Sequence, residues 1–325
     1  MHKVSGWSKG YVAALCGMLA VLPQAANAVE VQVGTTGKSD ATSIVSYIGM
    51  ERKMFQANGL TLNWIAAGSA ARAVQQTLAG SLEISIAATD QTVRAIAQGG
   101  AIAIVAGAVG AAPFRVLGQK GVNSWPDLKG KIVSVGGPSD QTLFFFRIMA
   151  RKNGLQDNDY DLVFGGTTPA RFSQLASGAV GAAVLTNPND LMALDAGYSD
   201  LGAAPDYVPV WAQNNVFVHR DWAKKNPQIV AAFLKTYLQA TDVFYDKANR
   251  EDVLAILMKY TSSDRSVAER VYDFYQAKKI IMPGAELSEA GIGAVVDSLV
   301  AIKELPSAIP VSTLIDTSYL AAAKK

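Results

Sequence analysis

The sequence has few of the side chains from which catalytic and metal sites are most often built. It contains one cysteine and two histidines in 325 residues. Cys16 and His2 lie in an N-terminal segment that we predict to be removed, which leaves only His219. That set cannot form a Cys–His pair or a site with several histidines, and it makes a Ser–His–Asp triad difficult to build. We therefore predict no catalytic residues, no metal site and no disulfide, and interpret His219 as a surface residue.

The chain also lacks an excess of charge of either sign. Lys and Arg number 29 against 27 Asp and Glu, and loss of Lys3 and Lys9 with the N-terminal segment makes the two counts equal. A near-neutral protein has no electrostatic reason to bind nucleic acid or an anionic membrane. No later apolar run approaches the ~20 residues that span a bilayer, so we expect a soluble mature protein. No glycine-rich phosphate-binding motif is present, and we predict no cofactor.

The N-terminal segment has the pattern of a cleaved secretory signal. A basic start is followed by a short apolar run at residues 11–22 and by the small-residue triplet Ala-Asn-Ala, which ends at residue 28. The apolar run is too short for a membrane anchor, and Leu15 before Cys16 does not fit a lipoprotein signal. We therefore predict that residues 1–28 are a signal peptide, that the mature chain begins at Val29, and that the protein is periplasmic.

Short apolar strands alternate with amphipathic helices through most of the chain. That order is typical of an α/β fold with parallel strands joined by right-handed crossovers. A unit of helix end, glycine turn, apolar strand and terminal hydroxyl occurs at residues 78–89 and again at residues 175–186. Two copies of one unit predict two similar lobes, each a mostly parallel sheet flanked by helices. A ligand site would lie where the strand ends of the two lobes face each other.

The chain is expected to pass between the two lobes twice. Strand-like segments at residues 115–119 and 217–220 are the predicted crossings, and together they would form a two-strand hinge. The first lobe would comprise residues 29–115 and 219–325, and the second lobe residues 116–218. From residue 221 onward the pattern is mainly helical, so we expect the end of the chain to cap the first lobe. We expect the protein to be a monomer.

Helix-starting residues follow strand ends at six places, three in each predicted lobe. Parallel α/β topology brings such turns to one edge of the sheet, where free backbone N–H groups and the positive end of the helix dipole favour polar or anionic groups. The same residue types cap helices in all proteins, so each cap alone is a weak signal. The six are Ser39-Asp40, Ser69, Thr89-Asp90, Ser139-Asp140, Thr168 and Asn187.

Several short motifs occur together along the chain. They are YIGMERKMF at residues 47–55, NGL at 58–60, GS at 68–69, LAG at 78–80, WPDLKGK at 125–131 and NP at 226–227. With them the sequence resembles the periplasmic solute-binding receptors of ABC importers, in the nitrate/sulfonate/taurine-binding group of type II bilobal binding proteins. The resemblance covers nearly the whole mature chain. It implies a two-lobed receptor that closes on a small molecule and delivers it to the membrane permease of an ABC importer.

The resemblance also implies a ligand pocket at the strand-end turns. Asp90 and Asp140 are interpreted as solvent-facing acids of a first helical turn, with contact to a ligand amine as the alternative. Arg171 and Lys38 are candidate counter-ions for a carboxylate or sulfonate. The implied ligand-binding residues are Thr35, Thr36, Gly37, Ser69, Ala70, Thr89, Asp90, Gly137, Pro138, Ser139, Thr168 and Asn187.

Aromatic residues near these turns leave the ligand's chemistry open. Trp64, residues 144–146 and Trp211 could form a stacking wall for an aromatic ligand, although core packing is the commoner fate of such side chains. We expect a non-catalytic, extracytoplasmic receptor for a small polar or anionic organic solute such as a carboxylate or sulfonate, with an aromatic ligand left open.

Two other functions fit the same fold. One is a ligand sensor for a membrane signalling protein, which the sequence does not separate from a transport receptor. The other is an enzyme related to thiamine-pyrimidine synthesis. Such an enzyme would be expected to carry an active-site histidine and a cysteine-rich motif, and this chain has neither.

Overall fold

The computed structural model describes residue 2 and residues 28–325, so the predicted signal peptide up to residue 27 lies outside the described residues. The strands are β1 (Val29–Thr35), β2 (Leu60–Ala66), β3 (Ile84–Ala88), β4 (Ile102–Val109), β5 (Phe114–Gly118), β6 (Ile132–Val135), β7 (Asp161–Phe164), β8 (Ala182–Thr186), β9 (Ser199–Ala203) and β10 (Asn214–His219). The helices are α1 (Ile44–Glu51), α2 (Met54–Ala57), α3 (Ala70–Leu78), α4 (Thr89–Ala97), α5 (Gln141–Lys152), α6 (Thr168–Ala176), α7 (Asn189–Asp195), α8 (Arg220–Lys225), α9 (Pro227–Tyr245), α10 (Arg250–Thr261), α11 (Arg265–Lys278), α12 (Glu289–Ala301), α13 (Val311–Leu314) and α14 (Ser318–Ala323).

These strands form two five-stranded sheets of mixed direction. The first sheet has the order β2-β1-β3-β10-β4 and the second the order β7-β6-β8-β5-β9. In the first sheet β10 runs antiparallel to both of its neighbours, and in the second sheet β5 does the same. The remaining pairs are parallel. The fold is therefore α/β and two-lobed, as the alternation of strands and helices predicts.

The first sheet is covered by helices on both faces. Its strand β4 has no exposed residue, which is the pattern of a strand buried on both sides. Ile48 of α1 and Phe233 of α9 lie in the apolar core on one face, together with residues of α10, α11 and α14. Val74 of α3 and Val93 of α4 lie in the core on the other face, which α12 also enters. The mainly helical pattern predicted after residue 221 is confirmed.

The second sheet is built in the same way. Phe145 and Phe146 of α5 are fully buried against one face. Leu175 of α6 packs with Leu117 and Leu185 on the other face, in a smaller core. Strand β9 follows no clear alternating pattern, so its sequence does not predict a strand. Its pairing with β5 makes it an edge strand of this sheet.

The chain does not pass between the sheets at the predicted crossings, residues 115–119 and 217–220. Strand β5 lies wholly in the second sheet and β10 wholly in the first, so the connecting segments are residues 110–113 and 204–213. The lobe limits at residues 115/116 and 218/219 stay a prediction. Within residues 28–325, no helix combines the length and the apolarity needed to cross a membrane.

Candidate functional site

A cavity of about 560 Å³ lies between the two sheets. Such a volume suits a site that encloses a small organic molecule. The turns that follow β1, β2 and β3 form one wall, and those that follow β6, β7 and β8 form the other. The structure brings together ten of the predicted ligand-binding residues in this lining, and their contact with a ligand stays a prediction. They are Thr36, Gly37, Ser69, Ala70, Asp90, Gly137, Pro138, Ser139, Thr168 and Asn187.

Thr35 and Thr89 do not line the cavity. Thr35 is buried at the end of β1, with its hydroxyl 3.5 Å from that of Ser43. Thr89 is fully buried, and its hydroxyl accepts a hydrogen bond from Nδ2 of Asn215 on β10 at 2.7 Å. That bond joins residues far apart in the chain, so no local pattern could have indicated it.

Two equivalent turns enter the cavity, one from each lobe. Ser39-Asp40-Ala41-Thr42 follows β1, and Ser139-Asp140-Gln141-Thr142 follows β6. Asp40 accepts a hydrogen bond from the Thr42 amide at 2.9 Å, and Asp140 accepts one from the Thr142 amide at 2.8 Å. Each aspartate therefore caps the helical segment that follows it. The repeated Ser-Asp-x-Thr pattern is a sequence signal that could have located both walls.

A buried tyrosine fixes the first of these turns. Tyr47 of α1 donates a hydrogen bond from its hydroxyl to the carbonyl oxygen of Lys38 at 2.9 Å. The Tyr47 ring stacks on Tyr260 of α10, with 4.0 Å between the ring centroids. Lys38 itself is exposed at the cavity and forms no ion pair within the described part of the chain.

Of the predicted helix caps in the cavity wall, the one in the first lobe at Ser69 is confirmed, whereas Thr168 and Asn187 in the second lobe do not cap their helices. Ser69 caps α3 as expected, since its hydroxyl accepts a hydrogen bond from the Arg72 amide at 3.2 Å. Thr168 is instead the first residue of α6, and its hydroxyl accepts a hydrogen bond from Nη2 of Arg171 at 2.9 Å. Asn187 precedes α7 by two residues and does not cap it. Both side chains are therefore occupied by contacts within the lobe.

Arg171 is the most deeply buried cation of the cavity wall. It is only 4 % exposed, and burial lowers the pKa of its guanidinium to about 10. Its hydrogen bonds go to neutral oxygens: Nε donates to the Val184 carbonyl at 2.6 Å, Nη1 to the Gly166 carbonyl and Nη2 to the Thr168 hydroxyl. Within residues 28–325 it forms no ion pair. A guanidinium has five N–H donors, so one remains on each Nη nitrogen.

Asp90 is buried, and the prediction that it faces solvent is wrong. It is 3 % exposed, and burial raises the pKa of its carboxyl group. Arg94, one turn later on α4, forms an ion pair with it. Nε2 of Gln141 on α5 donates to its Oδ1 at 2.7 Å, so Asp90 joins the first lobe to the second. Asp140, in contrast, is exposed as expected.

A second hydrogen bond joins the lobes beside the first. Nε2 of Gln91 donates to the carbonyl oxygen of Ser139 at 2.9 Å. A cross-lobe ion pair also connects Asp195 on α7 with Arg270 on α11. The structure therefore holds the lobes together by polar contacts as well as by apolar packing. Gln141 lines the cavity but was missed by the sequence analysis, because a glutamine inside a helical pattern carries no distinctive signal.

Asn187 is oriented by a buried acid. Its Nδ2 donates to both oxygens of Asp190, at 2.8 and 3.0 Å. Arg115 on β5 lies 3.6 Å from the same carboxylate and offsets its charge. Burial raises the pKa of Asp190, and the nearby Arg115 acts in the opposite direction. The Asp190 carboxylate therefore fixes the orientation of the Asn187 amide, with Nδ2 toward Asp190 and Oδ1 on the other side.

The aromatic wall that the sequence left as an alternative to core packing does not form part of this cavity. Trp64 packs edge-on against Tyr47, and Trp211 stacks on Phe144 with 5.3 Å between centroids. Phe145 and Phe146 are core residues. The aromatic side chain that does line the cavity is Phe114, the first residue of β5, which the sequence analysis did not single out. These aromatic residues pack because Trp64 lies on β2, residues 144–146 on α5 and Trp211 in a crossing segment, each next to other apolar side chains.

His219 lies at the end of β10, is partly buried and does not line the cavity. Among the described residues, no three His, Cys, Asp or Glu side chains lie close enough together to hold a metal ion.

Comparison with known proteins identifies relatives in sequence and in structure. The model of the family described as NMT1/THI5 like matches residues 41–250. No curated protein matches the chain.

Three solved structures illustrate the similarity in fold. A protein of Bordetella bronchiseptica is 19 % identical, with 91 % of this chain and 97 % of that chain covered and a TM-score of 0.77. The alkanesulfonate-binding protein of Xanthomonas axonopodis, solved with MOPS, is 17 % identical, with 89 % and 98 % covered and a TM-score of 0.71. The periplasmic nitrate-binding protein of Synechocystis is 12 % identical, with 91 % and 85 % covered and a TM-score of 0.72.

Proposed function

The chain belongs to the NMT1/THI5-like family, and we propose that it is a non-catalytic receptor that binds a small organic anion between its lobes and delivers it to an ABC importer. The mature protein would be a periplasmic monomer that starts at Val29, and its partner would be the membrane permease of that importer. Binding proteins for alkanesulfonate and for nitrate share the fold, which supports this role.

The observation that carries the proposal is Arg171. A guanidinium that is almost fully buried loses most of its hydration, and this loss is costly unless an opposite charge compensates it. Its hydrogen-bond partners are two carbonyls and a hydroxyl, none of which is charged, and the nearby carboxylate of Asp140, which raises its pKa, is exposed to water. A ligand carboxylate or sulfonate could accept the two remaining N–H groups side by side. Because Arg171 lines the cavity, an anion bound there would be enclosed by both lobes.

The cavity wall gives less support to the enzyme alternative. Among the described residues that line it there is no histidine and no cysteine, the residues expected of a thiamine-pyrimidine synthase. The sensor alternative shares the same ligand site and differs only in the membrane partner. Transport is the proposal because the ligand-binding component of an ABC-type import system from Staphylococcus aureus shares the fold.

The test combines ligand identification with a change of charge. We would release any small molecule that co-purifies with the exported protein, identify it by mass spectrometry, and titrate it back by calorimetry. Replacing Arg171 by Met should weaken binding about 10- to 150-fold, because a hydrogen bond to a charged group contributes about 1.5–3 kcal/mol. Arg171→Lys keeps the charge and should lose less.

The matched control is Arg151→Met. Arg151 is 58 % exposed and pairs with Asp157 on the surface of the second lobe, away from the cavity. Its replacement should leave affinity within twofold of the parent. Affinity unchanged in Arg171→Met, or chemical conversion of the bound molecule by the purified protein, would contradict the proposal.

A further inference from the structure

Helix α7 of the second lobe lies against helix α11 of the first. Asp195, the last residue of α7, forms an ion pair with Arg270 of α11. Leu191 and Met192 of α7 pack against the apolar core of the first lobe, which includes residues of α11. This contact is separate from the hydrogen bond that joins α4 to α5, so the two lobes meet at more than one place.

The positions of the helix ends make α7 and α11 antiparallel. Helix α7 begins at the cavity, which its first residue, Asn189, lines. Helix α11 ends beside a segment in which the chain crosses between the lobes, since the Gly110 amide donates to the Ile280 carbonyl at 2.8 Å. The ion pair lies at the other end of α7. Five residues back from it along each helix, this register places Asp190 opposite Tyr275.

Tyr275 carries a buried hydroxyl that makes no hydrogen bond. The side chain is 0 % exposed, and its hydroxyl has no hydrogen-bond partner within residues 28–325. A buried hydroxyl without a hydrogen bond is costly. Burial raises the pKa of Tyr275 well above its usual value, and the negative charges of Asp40 and Asp190 act in the same direction. The hydroxyl therefore keeps its proton and is a donor near two carboxylates, one from each lobe.

Asp190 is the acceptor that would connect this hydroxyl to the cavity. It is 3 % exposed, accepts from Nδ2 of Asn187 with both oxygens, and lies 3.6 Å from Nε of Arg115. A carboxylate offers about four lone-pair sites, so it can accept a further hydrogen bond. Asp40 belongs to the same lobe as Tyr275, and a bond to it would not depend on lobe movement. A bond to Asp190 would depend on closure.

We propose that Tyr275 is a positioning residue, whose hydroxyl donates a hydrogen bond to Asp190 when the cleft closes fully and thereby holds Asn187 in the cavity wall. This inference rests on the receptor function proposed above and specifies how closure and the same site are coupled. The bond favours the closed form, so a ligand that binds the closed form binds more tightly because of it.

The experiment compares two tyrosines of one helix. Tyr272 lies one turn before Tyr275, is 3 % exposed, and has Arg250, Asp246 and Asp273, all of the first lobe, as charged neighbours. Calorimetry on the mature protein would use butanesulfonate and benzoate as probes. Tyr275→Phe should weaken binding about 10-fold or more, because it removes a hydrogen bond to a charged group. Tyr272→Phe should stay within twofold of the parent.

The separation of the lobes is the readout that a purely structural role would not move. Spin labels on Gln56→Cys and Lys129→Cys, one exposed residue in each lobe, report it with and without the probes. Tyr275→Phe should enlarge the population with widely separated lobes, and Tyr272→Phe should not. If the two variants match in affinity and in lobe separation, the inference is overturned. Where the parent binds neither probe, lobe separation alone decides.

Two further backgrounds identify the acceptor. If the hydroxyl acts through Asp190, adding Tyr275→Phe to Asp190→Asn should change affinity or lobe separation little, whereas adding it to Asp40→Asn should have its full effect. The reverse pattern would show that the hydroxyl serves Asp40 and would overturn the inference. If Asp190→Asn melts early, the comparison of Tyr275→Phe with Tyr272→Phe decides.

Failure here is distinguishable from failure of the receptor proposal. If Arg171→Met weakens binding while Tyr275→Phe leaves affinity and lobe separation unchanged, the receptor function stands and the role of Tyr275 is wrong. If the protein converts its bound molecule, or if Arg171→Met leaves binding unchanged, the receptor proposal itself fails. Lobe separation in Tyr275→Phe still tests the contact with Asp190 in that case.

Discussion

The hydrogen bond between Gln141 and Asp90 should set how far the closed form is favoured. It joins α5 of the second lobe to α4 of the first at 2.7 Å, between side chains that are 5 % and 3 % exposed. A hydrogen bond to a charged group contributes about 1.5–3 kcal/mol, net of the hydrogen bonds that both groups would otherwise make to water. Opening the cleft breaks it. We predict that Gln141→Ala shifts the equilibrium toward the open form by about that amount.

The shift should lower the apparent affinity for ligand, because a ligand that binds the closed form binds more weakly when a smaller fraction of the protein is closed. The expected loss is about 10- to 150-fold. Asp90 would still have Arg94, so the variant does not leave a buried carboxylate without a partner. Gln91→Ala is the milder comparison, since its neutral bond to the Ser139 carbonyl is worth about 0.5–1.5 kcal/mol, or about 2- to 13-fold.

Gln141 also lines the cavity, so affinity alone could reflect a lost ligand contact. Two further measurements separate the causes. A double-mutant cycle with Asp90→Asn should give a coupling energy of about 1.5–3 kcal/mol. Spin labels on Gln56→Cys and Lys129→Cys, both exposed, would report the distance between lobes without ligand. A coupling energy near zero, with label distances equal in parent and Gln141→Ala, would refute the reasoning.

Three other predictions concern the site and the core. Binding of an organic anion should weaken as pH rises through about 10, because burial lowers the pKa of Arg171 to about 10, and calorimetry across pH 8–11 measures this; the same decline in Arg171→Met would assign the pH dependence to another group. Tyr47→Phe should lower the free energy of unfolding by about 0.5–1.5 kcal/mol through loss of the bond to the Lys38 carbonyl, and urea denaturation measures it; an unchanged midpoint would show that this bond contributes nothing. Phe146→Ala should cost about 3–5 kcal/mol of stability, because the side chain is fully buried, and a loss below 1 kcal/mol would contradict the packing described.

The sequence predicts the architecture well, because hydrophobic periodicity and the turn residues that end each helix or strand are local features. Alternating apolar strands and amphipathic helices are enough to indicate an α/β fold with facing strand ends. The crossings are less predictable. The sequences of β5 and β10 predict strands but do not show which sheet each strand pairs in. The pattern therefore does not predict that β5 lies wholly in the second sheet and β10 wholly in the first. Strand β9 is short and mixed in polarity, and only its pairing with β5 stabilises it.

The candidate site is predictable as a set of turns but not as a set of side-chain roles. Ten of the predicted residues meet at one cavity because topology alone places strand-end turns together. The fate of each side chain depends on distant partners. Thr89 turns away to Asn215, and Asp90 is buried because Gln141 of the other lobe approaches it. No spacing rule contains those contacts.

The position of β10 has a consequence for the order in which the chain can fold. Strand β10 lies between β3 and β4, yet residues 110–213 separate it from β4 in the chain. The first sheet therefore cannot be completed until the whole second sheet has been synthesised. The second sheet is made from the uninterrupted residues 114–203, so its contacts are more local and its chain closure costs less entropy. A polypeptide emerging N-terminus first would assemble its second lobe while the first still waits for β10, the strand that joins β4 to the rest of its sheet.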